Sequence, residues 1–217
     1  MPLCRCPLPA SLPDIAKDAC PVSFGQIQKV AFQRLSQIWM GSKRRLGMAI
    51  DGDSNGDPHY KTAWTDRIAA TDNGKALISP YLQAPATEVG AARTFGGGNE
   101  TPGGIPIVLG REATSFTAFI RQMSQDKLTL WKQLECESDL GVYLFDENGN
   151  IGGILEPYEG YPTLFPIPIR SLFFGDLTLG GFEGVDSNGV QWSFLPDWSN
   201  NLTIITPIDF NPLTDLS

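Results

Sequence analysis

Histidine is nearly absent from this sequence, and charged residues are scarce. His59 is the only histidine among 217 residues, and Asp, Glu, Lys and Arg together make up 18% of the chain. A single histidine excludes two-histidine metal sites and the H-E-x-x-H motif. A Ser-His-Asp or Cys-His pair would have to use His59, which lies in the polar, turn-rich stretch DGDSNGDPHY. The sequence therefore predicts a protein that is not an enzyme, with His59 exposed in a loop.

Long apolar runs and a signal-peptide core are also missing. No run of about 18 apolar residues occurs, so no membrane-spanning helix and no membrane partner are predicted. The opening residues, MPLCRCPLPASLPD, lack an apolar core of signal-peptide length, so we do not expect export by the general secretory route.

Cysteine is sparse and unevenly placed. Cys4 and Cys6 form a C-x-C, while Cys20 and Cys136 stand alone. Secreted disulfide scaffolds are shorter and richer in cysteine, and C-x-C is not the usual spacing of a zinc knuckle. The pattern favours a reducing environment, with Cys20 and Cys136 buried and the C-x-C in an arm.

The composition that remains is that of a folded, acidic protein. Hydrophobic residues make up 41% of the chain, which is too apolar for a disordered protein. The net charge is −8 and no long basic stripe occurs, which argues against general binding to a nucleic-acid backbone. The length fits one domain with extended arms.

Proline-broken ends flank a central domain. Residues 1–22 hold four prolines before Asp14 and predict an extended N-terminal arm, whose Leu8 and Leu12 need a surface on this chain or on a neighbour. Residues 23–206 predict a single β-rich domain. Residues 207–217 predict a C-terminal arm that carries Phe210.

Short strands separated by turns dominate the domain. Residues 62–110 hold short apolar pieces broken by Gly, Pro and Asn, which is typical of strands. Asn148–Gly149 and Asn188–Gly189 each lie between apolar segments, which predicts two hairpins turning at these pairs. Residues 156–170 contain too many prolines for an inner strand. Strands are expected over 169–182 and again from 202.

One helix is predicted over residues 114–137, where Phe116, Phe119, Ile120 and Met123 recur at intervals of three and four. Residues 23–40 fit either a helix or a strand, and both alternatives stay open. The pattern as a whole predicts an α+β fold: a mainly antiparallel β-sandwich or partly closed barrel with a flanking helix and extended terminal arms.

The best-looking site motif matches the first half of a calcium loop. Asp51, Asp53, Asn55 and Asp57 alternate around Gly56, as oxygen ligands of a hard cation do. The twelfth position is Thr62 instead of the bidentate Glu, and the flanks are not helical. A surface turn is the favoured interpretation, and a calcium site is the alternative. No other cofactor is expected.

A basic cluster follows residues 23–40. Lys43, Arg44 and Arg45 form a compact basic group in an otherwise acidic chain. A solvated loop explains them, and salt bridges to an acidic neighbouring subunit are the sharper hypothesis. Leu8, Leu12 and Phe210 in the two arms are the other candidate contacts between subunits.

The order of these pieces resembles the major tail proteins, or tail tube proteins, of long-tailed bacteriophages of the kind that infect Bacteroidota. The resemblance covers roughly residues 62–213 and is carried by GVYLFDENGNIGG and FEGVDSNGVQWSFLPDW. It implies two packed sheets with a helix at the side, and a subunit that forms rings, usually hexamers, which stack into a tube. It also implies a virion protein assembled in the host cytoplasm, with other tail proteins as partners.

The resemblance further implies an acidic lumen through which DNA passes without specific binding, and loops and arms that tie rings together. The net charge of −8 and the two arms are compatible with this role. Capsid, neck and tail-terminator proteins share the same features and remain alternatives. From another class, the alternative is a calcium-assisted carbohydrate-binding β-sandwich that would use Asp51, Asp53, Asn55 and Asp57 with exposed Trp192 or Trp198.

Overall fold

The computed structural model describes residues 24–39, 42–121, 123–180 and 184–216. The predicted N-terminal arm, with Leu8 and Leu12, lies outside these residues. The described residues form two compact units, one of residues 91–112 and the other of residues 24–90 and 113–216.

Within the described ranges the strands are, in chain order, β1 Ile27–Arg34, β2 Ser36–Trp39, β3 Ser42–Arg45, β4 Met48–Ala49, β5 Ala76–Ile78, β6 Leu82–Glu88, β7 Ala92–Phe95, β8 Ile107–Arg111, β9 Thr114–Arg121, β10 Leu140–Asp146, β11 Ile151–Tyr158, β12 Tyr161–Phe165, β13 Ile167–Thr178, β14 Ser187–Phe194 and β15 Leu202–Ile205. The α-helices are α1 Lys61–Ala69, α2 Gln125–Lys132 and α3 Pro212–Asp215, and short 3₁₀ turns lie at Pro102–Gly104 and Gln133–Cys136.

One large antiparallel sheet organises the larger unit. Its strand order is β4-β12-β11-β10-β13-β14-β9-β6, with β1 pairing with β10 and β5, and β15 pairing with β11. Over the described residues this sheet does not close into a barrel. The predicted α+β fold with a mainly antiparallel, sandwich-like sheet is confirmed. The hairpins β2–β3 and β7–β8 are separate two-stranded sheets.

The central strands β1 and β10 are buried on both faces. Val30 and Phe32 of β1 pack in a core cluster with Phe116 of β9 and Trp192 of β14. Ala31, on the opposite face of β1, belongs to a second cluster. That second cluster also holds Trp64 of α1 and Tyr143 and Phe145 of β10, with ring centroids 5.2 and 5.4 Å from Trp64. Because alternate residues of a strand face opposite ways, continuous apolar runs in β1 and β10 fill both clusters.

The predicted helix over 114–137 is wrong in its first half. Residues 114–121 form β9, in which buried Phe116, Ala118 and Ile120 alternate with more exposed residues. Pairing with β14 on one side and β6 on the other satisfies its backbone. Helix begins only at Gln125, and α2 packs its Leu128 and Trp131 against the first cluster.

Residues 23–40, for which helix and strand were both open, form the strands β1 and β2 over most of their described part. Two other local expectations are corrected. Residues 61–69 form helix α1 where short strands were expected. Cys136 was expected to be buried and is exposed.

The proline-rich stretch forms strands after all. Pro157 of β11 faces Pro162 of β12, and β12 also pairs with β4. Pro162 turns its carbonyl towards β4, where it accepts from the Ile50 N–H at 2.8 Å. A residue's N–H and C=O point to the same side of a strand, so neither proline removes a bond between β11 and β12. The expectation that these prolines exclude an inner strand is therefore wrong.

Only one of the two predicted Asn-Gly turns exists. Asn148–Gly149 closes the β10–β11 hairpin, and Gly149 has a φ of +81°. Asn188–Gly189 lies inside β14 and pairs with Ile120 and Phe119 of β9. The strand is continuous there because burial of Asn188 and Val190 holds the extended backbone in the core.

Candidate interaction surfaces

The predicted calcium loop uses its carboxylates on its own backbone. Asp51 accepts from the Asp53 N–H at 2.9 Å, and Asp53 accepts from the Asn55 N–H at 3.1 Å. Asp57 is buried and accepts from the backbone N–H groups of Gly52 and His59, both at 3.0 Å. These are the side-chain-to-backbone bonds of a polar turn.

The same loop positions the single histidine. His59 Nδ1 lies 2.6 Å from Asp57 Oδ1. Burial alone raises the pKa of Asp57, but hydrogen bonds from the His59 backbone and ring and the Gly52 backbone outweigh it, so the pKa lies below its ordinary value. Among the residues described by the structure, no group of three or more His, Cys, Asp or Glu side chains is placed to hold a metal. Asp51, Asp53 and Asp57 therefore do not form such a group.

The basic cluster has partners within the chain. Arg44 lies 2.6 Å from Glu159, and Arg45 pairs with Glu156. The Arg45 guanidinium also lies 3.9 Å from the centre of the Phe165 ring. The two pairs tie the β2–β3 hairpin to the β11–β12 hairpin, but they are partly exposed and each is worth little in stability. The Lys43 side chain lies outside the described residues, and a role of this cluster between subunits stays a prediction.

The C-terminal segment packs on its own chain. Phe210 is half-buried against the second core cluster, and Leu216 lies inside that cluster. The buried Lys29 donates from Nζ to the carbonyl oxygens of Leu213 at 2.7 Å and Leu216 at 3.2 Å, and burial lowers its pKa. Over residues 207–216 the predicted extended arm instead packs against the domain, and it includes the short helix α3 at Pro212–Asp215. A contact between subunits through Phe210 stays a prediction.

The hairpin unit of residues 91–112 presents apolar side chains to solvent. Phe95, Ile105 and Val108 are 58%, 71% and 59% exposed, and Ile107 and Leu109 are exposed as well. Ile107 and Leu109 point to one face of β8 and Val108 to the other, so both faces are apolar. The run IPIVL shows in the sequence that this segment is apolar. Its pattern alone, however, predicts a buried strand and not an exposed one.

A second exposed apolar area lies on the outer face of the large sheet. Phe119 of β9 and Phe173 of β13 are exposed on either side of β14. Together with Gly175 of β13 and Gly189 of β14 they line a cleft of about 160 Å³. We call this the outer-face patch. It is small enough to be ordinary by itself.

A larger apolar groove lies beside Phe24, the first described residue. Phe24, Pro85, Ala86, Phe116, Trp198 and Leu202 line about 300 Å³. Trp198 stacks on Phe194 with ring centroids 4.4 Å apart, which fixes one wall. Trp192 is 1% exposed, so it belongs to the core and not to a surface. We call this cavity the Phe24 groove.

Within the described ranges, none of the helices has the length and apolar character needed to cross a bilayer. No family model, no curated protein and no solved structure matches this chain.

Proposed function

We propose that this chain is a structural virion protein, a subunit that assembles with copies of itself into stacked rings of a bacteriophage tail tube. The observation that carries the proposal is the exposed apolar hairpin of residues 91–112. The proposed partners of the protein are other copies of itself and other tail proteins. Its proposed location is the virion tail, after assembly in the host cytoplasm, and DNA passes through the tube without specific binding.

In a monomer, the exposed apolar side chains of this hairpin would be in unfavourable contact with water. An isolated two-stranded hairpin is marginal in water, and apolar side chains on both faces of β8 are typical of strands covered on both sides. Covering this hairpin by another copy removes Ile105, Val108 and Phe95 from water. A contact between unlike surfaces of identical subunits generates rings or stacks, which is the assembly of a tube.

Two further properties fit the proposed tail tube. Among the described strands, β6 pairs on one side only, so it offers an open edge to a neighbour. The net charge of −8 repels DNA phosphates, as a conduit for DNA requires. The carbohydrate-binding alternative has less support, because the acidic loop is engaged with its own backbone and Trp192 is in the core.

The test is light scattering and negative-stain electron microscopy of the full chain and two matched variants. Val108→Asp places a charge on the exposed hairpin, and the control Leu130→Asp places the same charge at a residue of α2 that is 63% exposed. We expect wild type and Leu130→Asp to form rings or tubes with a central channel, and Val108→Asp to stay small while its circular dichroism is unchanged. A wild-type monomer at every concentration, or a ligand-bound monomer stabilised by calcium, contradicts the proposal.

A further inference from the structure

The Phe24 groove has the chemistry of a site for an extended, proline-rich segment. Its walls are aromatic and aliphatic, from Phe24, Trp198 and Leu202 with Pro85, and the residues described as lining it carry no charge. Proline-rich chains dock in aromatic-lined grooves because their extended backbone is largely pre-formed and loses little entropy on binding. Phe116 and Leu144, which also line the groove, are buried in the first core cluster.

We propose that this groove receives residues 7–15, PLPASLPDI, from a second copy of this chain. The proposal rests on the proposed function and names one of its contacts between subunits. The segment supplies Pro7, Pro9 and Pro13 for the extended backbone and Leu8, Leu12 and Ile15 for the apolar surface. The chain's other proline-rich stretch, 157–168, is already used in strands β11 to β13.

The position of the groove supports a second copy as the source. Phe24, the first described residue, is itself a wall of the groove. Residues 16–23 join the segment to Phe24 and could span about 25 Å if extended, which is enough to carry the segment away from its own domain towards a neighbouring subunit. The residues before Phe24 could span about 70 Å as an extended proline-rich chain, since each residue adds about 3.1 Å. Exchange of terminal segments is a low-cost way to join identical subunits.

The arm's own cysteines allow a direct test in the full chain. Cys6 directly precedes the proposed segment and Cys20 follows it. In a Cys136→Ser background, Ala86→Cys places a thiol at an exposed residue that lines the groove. The matched control is Asp126→Cys on the exposed side of α2, which does not line the groove. Isotope-labelled and unlabelled proteins are assembled together and treated with a short bismaleimide, and the linked peptides are mapped by mass spectrometry.

We expect links between position 86 and Cys6 or Cys20 that join labelled to unlabelled peptides, at about tenfold the yield of the control. Links confined to one isotope show that the groove holds the segment of its own chain and overturn the inference. Assembled tubes without links at position 86 also overturn it, and leave the proposed function standing. If neither variant nor wild type assembles, the proposed function fails and this inference fails with it.

A groove variant supplies an independent measurement. Ala86→Glu puts a carboxylate on the rim, and Ala86→Val keeps it apolar. We expect Ala86→Glu to lose assembly by light scattering while its circular dichroism stays that of wild type, and Ala86→Val to assemble. Equal assembly by both variants contradicts docking of an apolar segment at this site.

Discussion

Among the four predicted calcium ligands, one residue performs a structural task and the others are surface residues. Asp57 is buried, while Asp51, Asp53 and Asn55 are exposed. Asp57→Ala leaves the backbone N–H groups of Gly52 and His59 without their acceptor. We therefore expect a loss of about 1–3 kcal/mol in the free energy of unfolding, measured by urea titration.

Asp53→Ala is the matched control in the same loop, with an expected change below about 1 kcal/mol. Added calcium should leave the melting temperature of wild type unchanged. A large loss in Asp53→Ala, together with calcium stabilisation of wild type only, would reverse the interpretation of this loop as a polar turn.

The pKa of Asp57 should make its contribution to the free energy of unfolding depend on pH. Because the pKa is lowered in the folded state, the unfolded chain binds more protons once the pH falls towards the ordinary carboxyl value of about 3.9. The stability that Asp57 contributes is present above that value and is lost as the pH falls from it through the lower folded-state pKa. We expect the free energy of unfolding to fall less steeply between about pH 5 and pH 3 in Asp57→Asn than in wild type. Parallel curves would show that Asp57 has no such role.

At the scale of elements, sequence periodicity identifies apolar segments better than it identifies their type. Phe116, Phe119 and Ile120 fit a helix by spacing, yet the segment is β9 because β14 and β6 pair with it on both sides. Such pairing joins residues far apart in the chain, so no local pattern contains it. Helix α1 buries only Ala63 and Trp64, which leaves too narrow an apolar stripe for the helical period to stand out.

The two Asn-Gly pairs also show that a local pattern does not determine the type of element, and they allow a paired prediction. Gly149 has a φ of +81° in the β10–β11 turn, whereas Gly189 lies in β14, and a Cβ added there would meet nothing within 4 Å. We expect Gly149→Ala to lower the free energy of unfolding by about 1 kcal/mol or more. Gly189→Ala should leave it unchanged or raise it by up to about 1 kcal/mol, because glycine weakens a strand interior. If thermal denaturation shows that both variants lose the same free energy of unfolding, the assignment of one pair to a turn and the other to a strand is contradicted.

For the whole molecule, the fold class follows from the sequence, whereas the candidate surfaces do not. Alternating apolar segments and turn residues suffice to predict a mainly antiparallel sheet. The exposure of Val108 and Ile105 is invisible to that pattern, because the same letters describe a buried strand. The pairing of Arg44 and Arg45 with Glu159 and Glu156 is equally hidden, since it joins two hairpins more than a hundred residues apart.

We expect the N-terminal arm to contribute to assembly and not to the stability of the folded domain. Among the described residues, Phe24 and Ile27 already pack on the first core cluster. Deletion of residues 1–22 should therefore leave the free energy of unfolding within about 1 kcal/mol of wild type, by circular dichroism, while assembly by electron microscopy is lost or incomplete. Leu8→Asp with Leu12→Asp in the full chain should have the same effect, because these side chains supply the apolar surface of the arm. Unfolding of the shortened chain would show that the arm belongs to the core, and wild-type tubes from it would show that the arm ties no subunits together.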